Sequence, residues 1–160
     1  MSSLIFHLEM RSRADFCPTE LPRGLEVRKL KDPKLNARFY REVGKGWEWT
    51  DRLAWSPEQW REWALRDELR TLVAYFQGEE AGYAELERQE GDSVELVYFG
   101  LLPGMIGKGL GAAMLSLVVE EAWADSSVQR VWLHTCTEDH PHARANYEGR
   151  GFSVFKTESG

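Results

Sequence analysis

The sequence predicts an α/β protein of three layers, a sheet between two sets of helices, and three observations carry that prediction. Strand-like and helix-like segments follow one another as strand, helices, three strands, helix, strand, helix, strand. The three middle strands are joined by polar glycine turns, Gly78-Glu79-Glu80 and Gly91-Asp92, which are hairpin connections and imply antiparallel pairing. A third glycine cluster, Gly107-Lys108-Gly109-Leu110-Gly111, joins an apolar run ending at Leu102-Pro103 to a strongly periodic helical pattern. At 160 residues, 42% hydrophobic and 29% charged, the chain suits one domain, 1–160, with a real core.

Taken in order, residues 4–10 form a short strand-compatible run, followed by an irregular stretch holding Pro18 and Pro22. Residues 1–24 therefore read as an N-terminal extension. Residues 26–30 alternate as a strand does, and after Asp32-Pro33 the positions Leu35, Phe39, Tyr40 and Val43 suit a short helix that stops before Gly44 and Gly46. Ser56-Pro57-Glu58-Gln59 supplies an N-cap, a proline at the first helical position and a capping-box glutamine, so a helix is expected over 57–69. Strands are expected over 71–76, 81–87 and 93–102. The helix after the glycine turn places Leu110, Ala113, Met114, Leu117, Val118 and Ala122 on one face. Residues 128–135 read as another strand, His140-Pro141 opens a helix ending near Gly149 or Gly151, and 152–157 is a last strand.

Composition narrows the function. A formal charge of -6 and the lack of a long Lys/Arg run argue against a nucleic-acid partner. The first residues lack the basic start and apolar stretch of a signal peptide, and no apolar window approaches the roughly 18 residues of a membrane span, so a cytoplasmic location without membrane contact is expected. Cys17 and Cys136 are too isolated to suggest a disulfide framework.

The cluster at 107–111 has the chemistry of an anion site. Glycines let backbone N-H groups converge on a ligand, and a helix N-terminus adds unpaired donors and partial positive charge, so phosphate or pyrophosphate is the natural occupant. A nucleotide P-loop is excluded, because Gly104 and Gly109 are correctly spaced but are followed by Leu110 and Gly111 instead of Lys and Ser or Thr. A dinucleotide fingerprint through Gly107, Gly109 and Ala112 stays open, although it belongs in an N-terminal strand-turn-helix unit and these glycines lie two-thirds along the chain.

On these residues the sequence resembles the GCN5-related N-acetyltransferase superfamily. Its signature is Gln or Arg, two residues, Gly, one residue, Gly or Ala; here Ile106 to Gly111 match at the glycines and depart at Ile106, with Lys108 able to supply charge instead. Leu101-Leu102-Pro103 is similar to the family's strand end. The run Ala143-Arg-Ala-Asn-Tyr147-Glu-Gly-Arg-Gly151-Phe152 resembles its second landmark, and the resemblance covers residues 26–155. It implies the acyl-CoA N-acyltransferase fold, with a central mixed, mostly antiparallel sheet. It also implies acetyl-CoA as co-substrate, with no metal, and direct transfer to a primary amine, on a small molecule in preference to a peptide.

The resemblance assigns site residues one by one. Gly107, Lys108, Gly109, Leu110, Gly111 and Ala112 would hold the pyrophosphate. Phe99, Gly100, Leu101 and Leu102 would run beside the pantetheine on a bulged, splayed strand, and Gly100 is where a bulge is easiest, since glycine inside a strand often marks one. Ala143 opens the second landmark, and His140 stands where the family often has a pantetheine-contacting Asn. Val94-Glu95-Leu96-Val97-Tyr98 matches the Ala-Glu-Ile-Val-Phe run of the histone-acetylating branch, whose Glu is the general base. Flanking apolar residues would raise the Glu95 pKa from about 4.3, and Glu85 on the preceding strand is the second candidate. Tyr147 fits the general acid, because a phenol of pKa about 10 can protonate a departing thiolate.

His134, Cys136, Asp139, His140 and His142 crowd together, but match no zinc spacing, and no oxyanion turn supports Cys136 as a nucleophile. Five of seven tryptophans fall at Trp47, Trp49, Trp55, Trp60 and Trp63. Trp60 and Trp63 suit a helix core. Trp47 and Trp49 suit an aromatic acceptor wall, with Glu48 or Asp51 adding charge complementarity to a cationic or aromatic amine. Two rivals stay open, a non-catalytic acyl-CoA-binding or sensing module and a nucleotide-binding regulator, as does pairing of two copies in a homodimer.

Overall fold

The computed structural model describes residues 3–47 and 49–160. Seven strands form one sheet: β1 (Leu4–Met10), β2 (Leu25–Leu30), β3 (Leu69–Phe76), β4 (Glu79–Gln89), β5 (Ser93–Leu101), β6 (Arg130–Cys136) and β7 (Ser153–Ser159), in the spatial order β2-β3-β4-β5-β6-β1-β7. Only β5 and β6 run parallel. Helices α1 (Pro33–Gly44) and α2 (Pro57–Ala64) cover one face, while α3 (Gly111–Ala122) and α4 (Ala143–Gly149) cover the other. The three-layer mixed sheet is the architecture expected.

The larger core lies under α3 and α4, where Leu72, Ala84, Leu86, Val94 and Leu96 of the sheet meet Met114, Leu115, Val118 and Val119. The opposite face is smaller and aromatic, with Phe39 stacked on Tyr83 at 5.6 Å between ring centres and Val43 and Val73 beside them. On α3, Leu117 is half-buried, whereas Leu115, Ser116 and Val119 are buried. The buried arc is displaced from the expected face because the chain before β2 crosses the helix, with the Thr19 amide donating to Ser116 Oγ at 2.9 Å.

The described part of the expected extension, residues 3–24, contributes a full interior strand. β1 pairs antiparallel with β6 from Ile5/Cys136 to Met10/Val131 and with β7 on its other edge, and Leu8 and Met10 enter the core. Pro18 and Pro22 lie after this strand, in the crossing connection, so they place no break within it.

α2 ends at Ala64, five residues short of the expected Leu69. Its start follows the sequence closely: Ser56 Oγ accepts from the Gln59 amide, and the Gln59 side chain accepts from the Ser56 amide. The early stop comes from Lys31, whose ammonium donates to the carbonyls of Ala64, Arg66 and Leu69 at 3.1, 2.6 and 2.7 Å. A cation there satisfies carbonyls that a further helical turn would have used.

The bulge in β5 falls at Val97, not at Gly100. Tyr98 pairs with Glu85 and Leu96 with Leu86, which leaves Val97 as the extra residue, while Gly100 sits in regular register opposite Tyr83. Gly100 answers a different need, because a Cβ there would collide with Val43 Cγ1 on α1. Replacing Gly100 by Ala is expected to lower stability by about 1–3 kcal/mol through overpacking. A urea titration reads this, and an unchanged midpoint would contradict the close approach of α1.

Candidate active site

β5 and β6 are paired only at Ser93/Arg130, Val94/Val131 and Glu95/Trp132. Beyond Glu95 the two strands part, and a cavity of about 650 Å³ opens in the gap. Its floor is β5 from Leu96 to Leu101, and its far wall is the end of β6 at His134, Thr135 and Cys136. β4 bonds along one edge of β5, so the backbone on the other edge is turned to the cavity.

The glycine turn closes one end. Gly107, Gly109, Leu110, Gly111 and Ala112 line the cavity, and Gly107 and Gly109 have φ of +88° and +75°. Side chains rarely adopt that conformation, and a Cβ on either residue would meet nothing within 4 Å, so the backbone here is bare towards open space. Met114 donates the first α-helical bond, to Leu110, so the amides just before it point out of the helix start without intrahelical acceptors. Exposed donors on a helix N-terminus are suited to a diphosphate. Lys108 is exposed and does not line the cavity, and Leu102 does not either, its amide being spent on the Ala81 carbonyl at 2.8 Å.

At the other end α4 presents Ala143, Asn146 and Tyr147. Tyr147 is 8% exposed, packed edge-on against Phe99 and Phe152. Burial, and then the charge of Asp139, push its phenol pKa well up and hold it protonated. Asp139 is fixed at the end of β6 by the Thr135 hydroxyl and the Cys136 amide, which both donate to Oδ2. Among the described residues, no three His, Cys, Asp or Glu side chains are grouped to hold a metal ion.

The two carboxylates named from the sequence have different surroundings. Glu95 sits at the apex where the strands part and reaches the cavity only through its neighbour: its Oε2 is 3.9 Å from Nε2 of His134, which lines the cavity. Gln89 Nε2 donates to Glu95 Oε1 at 2.8 Å, and Gln89 is held in turn by Trp132 Nε1 at 2.9 Å. Burial raises the Glu95 pKa against the opposing pulls of Gln89 and His134. Glu85, expected at the substrate, is fully buried and absent from the cavity lining. Its oxygens accept from Arg52, Trp63, Asn36 and Tyr83, each at 2.9 Å, which makes it a structural anion.

Trp47, Trp49 and Asp51 do line the cavity, and His140 stands over its mouth with its ring 5.0 Å from that of Trp47. Glu48 lies outside the described residues. Sequence reasoning missed Asn146, His142 and the role of Asp139. Asn146 had a signal, since it directly precedes Tyr147 in the second landmark, and its side-chain amide lies beside Gly111 at the start of α3.

Comparison with known proteins agrees with this fold. Residues 34–152 match the profile of the Acetyltransferase (GNAT) family. An uncharacterized N-acetyltransferase of Mycobacterium tuberculosis is 37% identical over 83 residues, 52% of this chain and 52% of that protein, and one from Mycobacterium bovis matches equally. The alignment thus spans about half the length of these curated relatives. A GCN5-related N-acetyltransferase from Sphaerobacter thermophilus superposes with a TM-score of 0.73 at 19% identity, over 99% of this chain and 50% of that one. The spermidine N-acetyltransferase of Vibrio cholerae, in complex with CoA and spermine, gives 0.69 at 20% identity over 84% of both chains.

Substituting Gly109 by Ala is expected to weaken CoA binding by about tenfold or more, because a side chain at positive φ costs on the order of 1–3 kcal/mol and the turn relaxes away from its donor geometry. Isothermal titration with CoA reads this, and unchanged affinity would remove the turn from the site.

Proposed function

This chain belongs to the Acetyltransferase (GNAT) family, and we propose that it moves an acetyl group from acetyl-CoA to a primary amine within a single ternary complex. The supporting observation is one continuous cavity that runs from the bare glycine turn, along the freed edge of β5, to the Tyr147 phenol. Acetyl-CoA supplies an activated acyl carbon, and the residues present suit it: backbone donors at Gly107 to Ala112 for the diphosphate, and strand backbone beside Phe99 to Leu101 for the arm.

The protein's own groups then have three tasks. An acceptor ammonium must lose a proton before its nitrogen can attack, and Glu95 takes it through water or through His134, the group between it and the cavity. The amine nitrogen bonds to the carbonyl carbon, the carbon–sulfur bond breaks, the leaving sulfur receives the Tyr147 phenol proton, and the second proton shed by the nitrogen as the amide forms returns through water to the Tyr147 oxygen. Unpaired strand amides on β5 face the oxygen on which charge collects. The acceptor wall of Trp47, Trp49 and Tyr98 carries the carboxylate of Asp51, which favours a cationic or aromatic amine on a small molecule.

The deciding experiment is a broad amine panel with acetyl-CoA, followed by thiol release and mass detection. Tight acetyl-CoA binding with no release from any amine would favour a sensing module instead. With an acceptor in hand, Tyr147→Phe and Glu95→Gln are each expected to lower kcat by about 10²-fold or more while acetyl-CoA affinity stays near wild type. The pH profile supplies a second check. The base works only when ionised, and burial lifts the Glu95 pKa above its ordinary value of about 4.3. The acid limb of kcat/KM should therefore lie above that of a free carboxylate, with activity lost as pH falls through it, and Glu95→Gln should abolish that limb.

A further inference from the structure

The acceptor wall hangs on the loop between α1 and α2, whose described residues, 45–47 and 49–56, form no helix or strand. A buried ion pair ties that loop to the sheet. Arg52 is 7% exposed, and its Nη1 donates to Glu85 Oε1 at 2.9 Å while its backbone amide donates to the Tyr40 hydroxyl at 3.0 Å. Its guanidinium lies 4.6 Å from the ring centre of Trp55, 4.3 Å from Trp63 and 4.7 Å from Tyr98. A planar, weakly hydrated cation is the group that can both stack on such faces and pair with a buried carboxylate.

Tyr98 connects this box to the cavity. Its ring meets Arg52 and is also 4.6 Å from that of Trp49, and both Tyr98 and Trp49 line the cavity. Arg52 itself does not line it. Resting on the reading of this wall as the acceptor side, we infer that Arg52 is a positioning residue. Its ion pair with Glu85 fixes Trp49, Tyr98 and Asp51 in place, and so sets the acceptor site without touching acceptor or coenzyme. The adjacent carboxylates divide the work, Asp51 facing the cavity and Glu85 holding the arginine behind it.

The test needs no acceptor. Hydrogen exchange of amides 45–55, tryptophan quenching by acrylamide and CoA titration are measured on wild type, Arg52→Met and Arg52→Lys. In Arg52→Met the loop amides are expected to exchange at least tenfold faster relative to β4, with greater quenching and a CoA Kd within threefold of wild type. Arg52→Lys, which keeps a cation, should recover part of that protection. Wild-type loop exchange in Arg52→Met, a uniform rise across β3 and β4 with loss of CoA binding, or no recovery with Lys would each overturn the assignment.

If Arg52→Met does not fold, the pair Arg52→Met with Glu85→Met removes both charges together and leaves no unpaired anion. Loosened loop amides in that variant support the assignment and unchanged ones overturn it. A protein that fails the amine panel still gives these readouts, so failure of the transfer reading and failure of this one remain distinct.

Discussion

Everything in this site follows from the parting of two parallel strands. A strand edge left unpaired inside a protein carries a penalty, because its amides and carbonyls lose water without gaining partners. Here the parting is sustained because each strand keeps an antiparallel neighbour on its far side: β4 holds β5 and β1 holds β6. The extra residue at Val97 begins the divergence just past the last shared pair, Glu95/Trp132. That explains why β1 is inside the sheet. Without it, β6 would be a strand with one short partner and a largely free edge.

Two carboxylates on adjacent strands show how surroundings, more than residue type, decide a role. Glu85 has four donors on two oxygens and is closed to solvent, so it works as a fixed counter-charge. Glu95 has one hydrogen bond, from Gln89, a more distant imidazole, and a pKa lifted by burial. The first is over-determined and the second is poised. Strand pattern alone gave no means of telling them apart, since both alternate beside apolar neighbours, and only the resemblance of Val94 to Tyr98 to a family run ranked Glu95 first.

Features governed by near neighbours were legible in the sequence. The capping box at Ser56, the hairpin turns at Gly78 and Gly91, and the glycine turn before α3 each depend on residues within a few positions. Those set by distant contacts were not. α2 stops where Lys31 supplies donors, Gly100 is small because Val43 lies against it, and the bulge follows from strand pairing. Arg52 gave no local sign at all. Its meaning appears only when Glu85, more than thirty residues on, is found beneath it.

The two ends of the cavity are built from different materials, and this bears on what comparison can transfer. The end at the glycine turn is mainly backbone: positive-φ glycines, the start of a helix and a strand edge. Backbone geometry survives wide changes of side chain, which is why solved structures at 19% and 20% identity still superpose with TM-scores of 0.73 and 0.69. The other end is made of side chains, Trp47, Trp49 and Asp51 on a loop that Arg52 helps to hold, and Tyr98 on β5. Such a wall changes with single substitutions, so a neighbour named for spermidine acetylation informs the fold of this protein and not what that wall admits. What that wall admits has therefore to be read from the chemistry of the loop itself, aromatic faces beside the carboxylate of Asp51, in preference to family likeness.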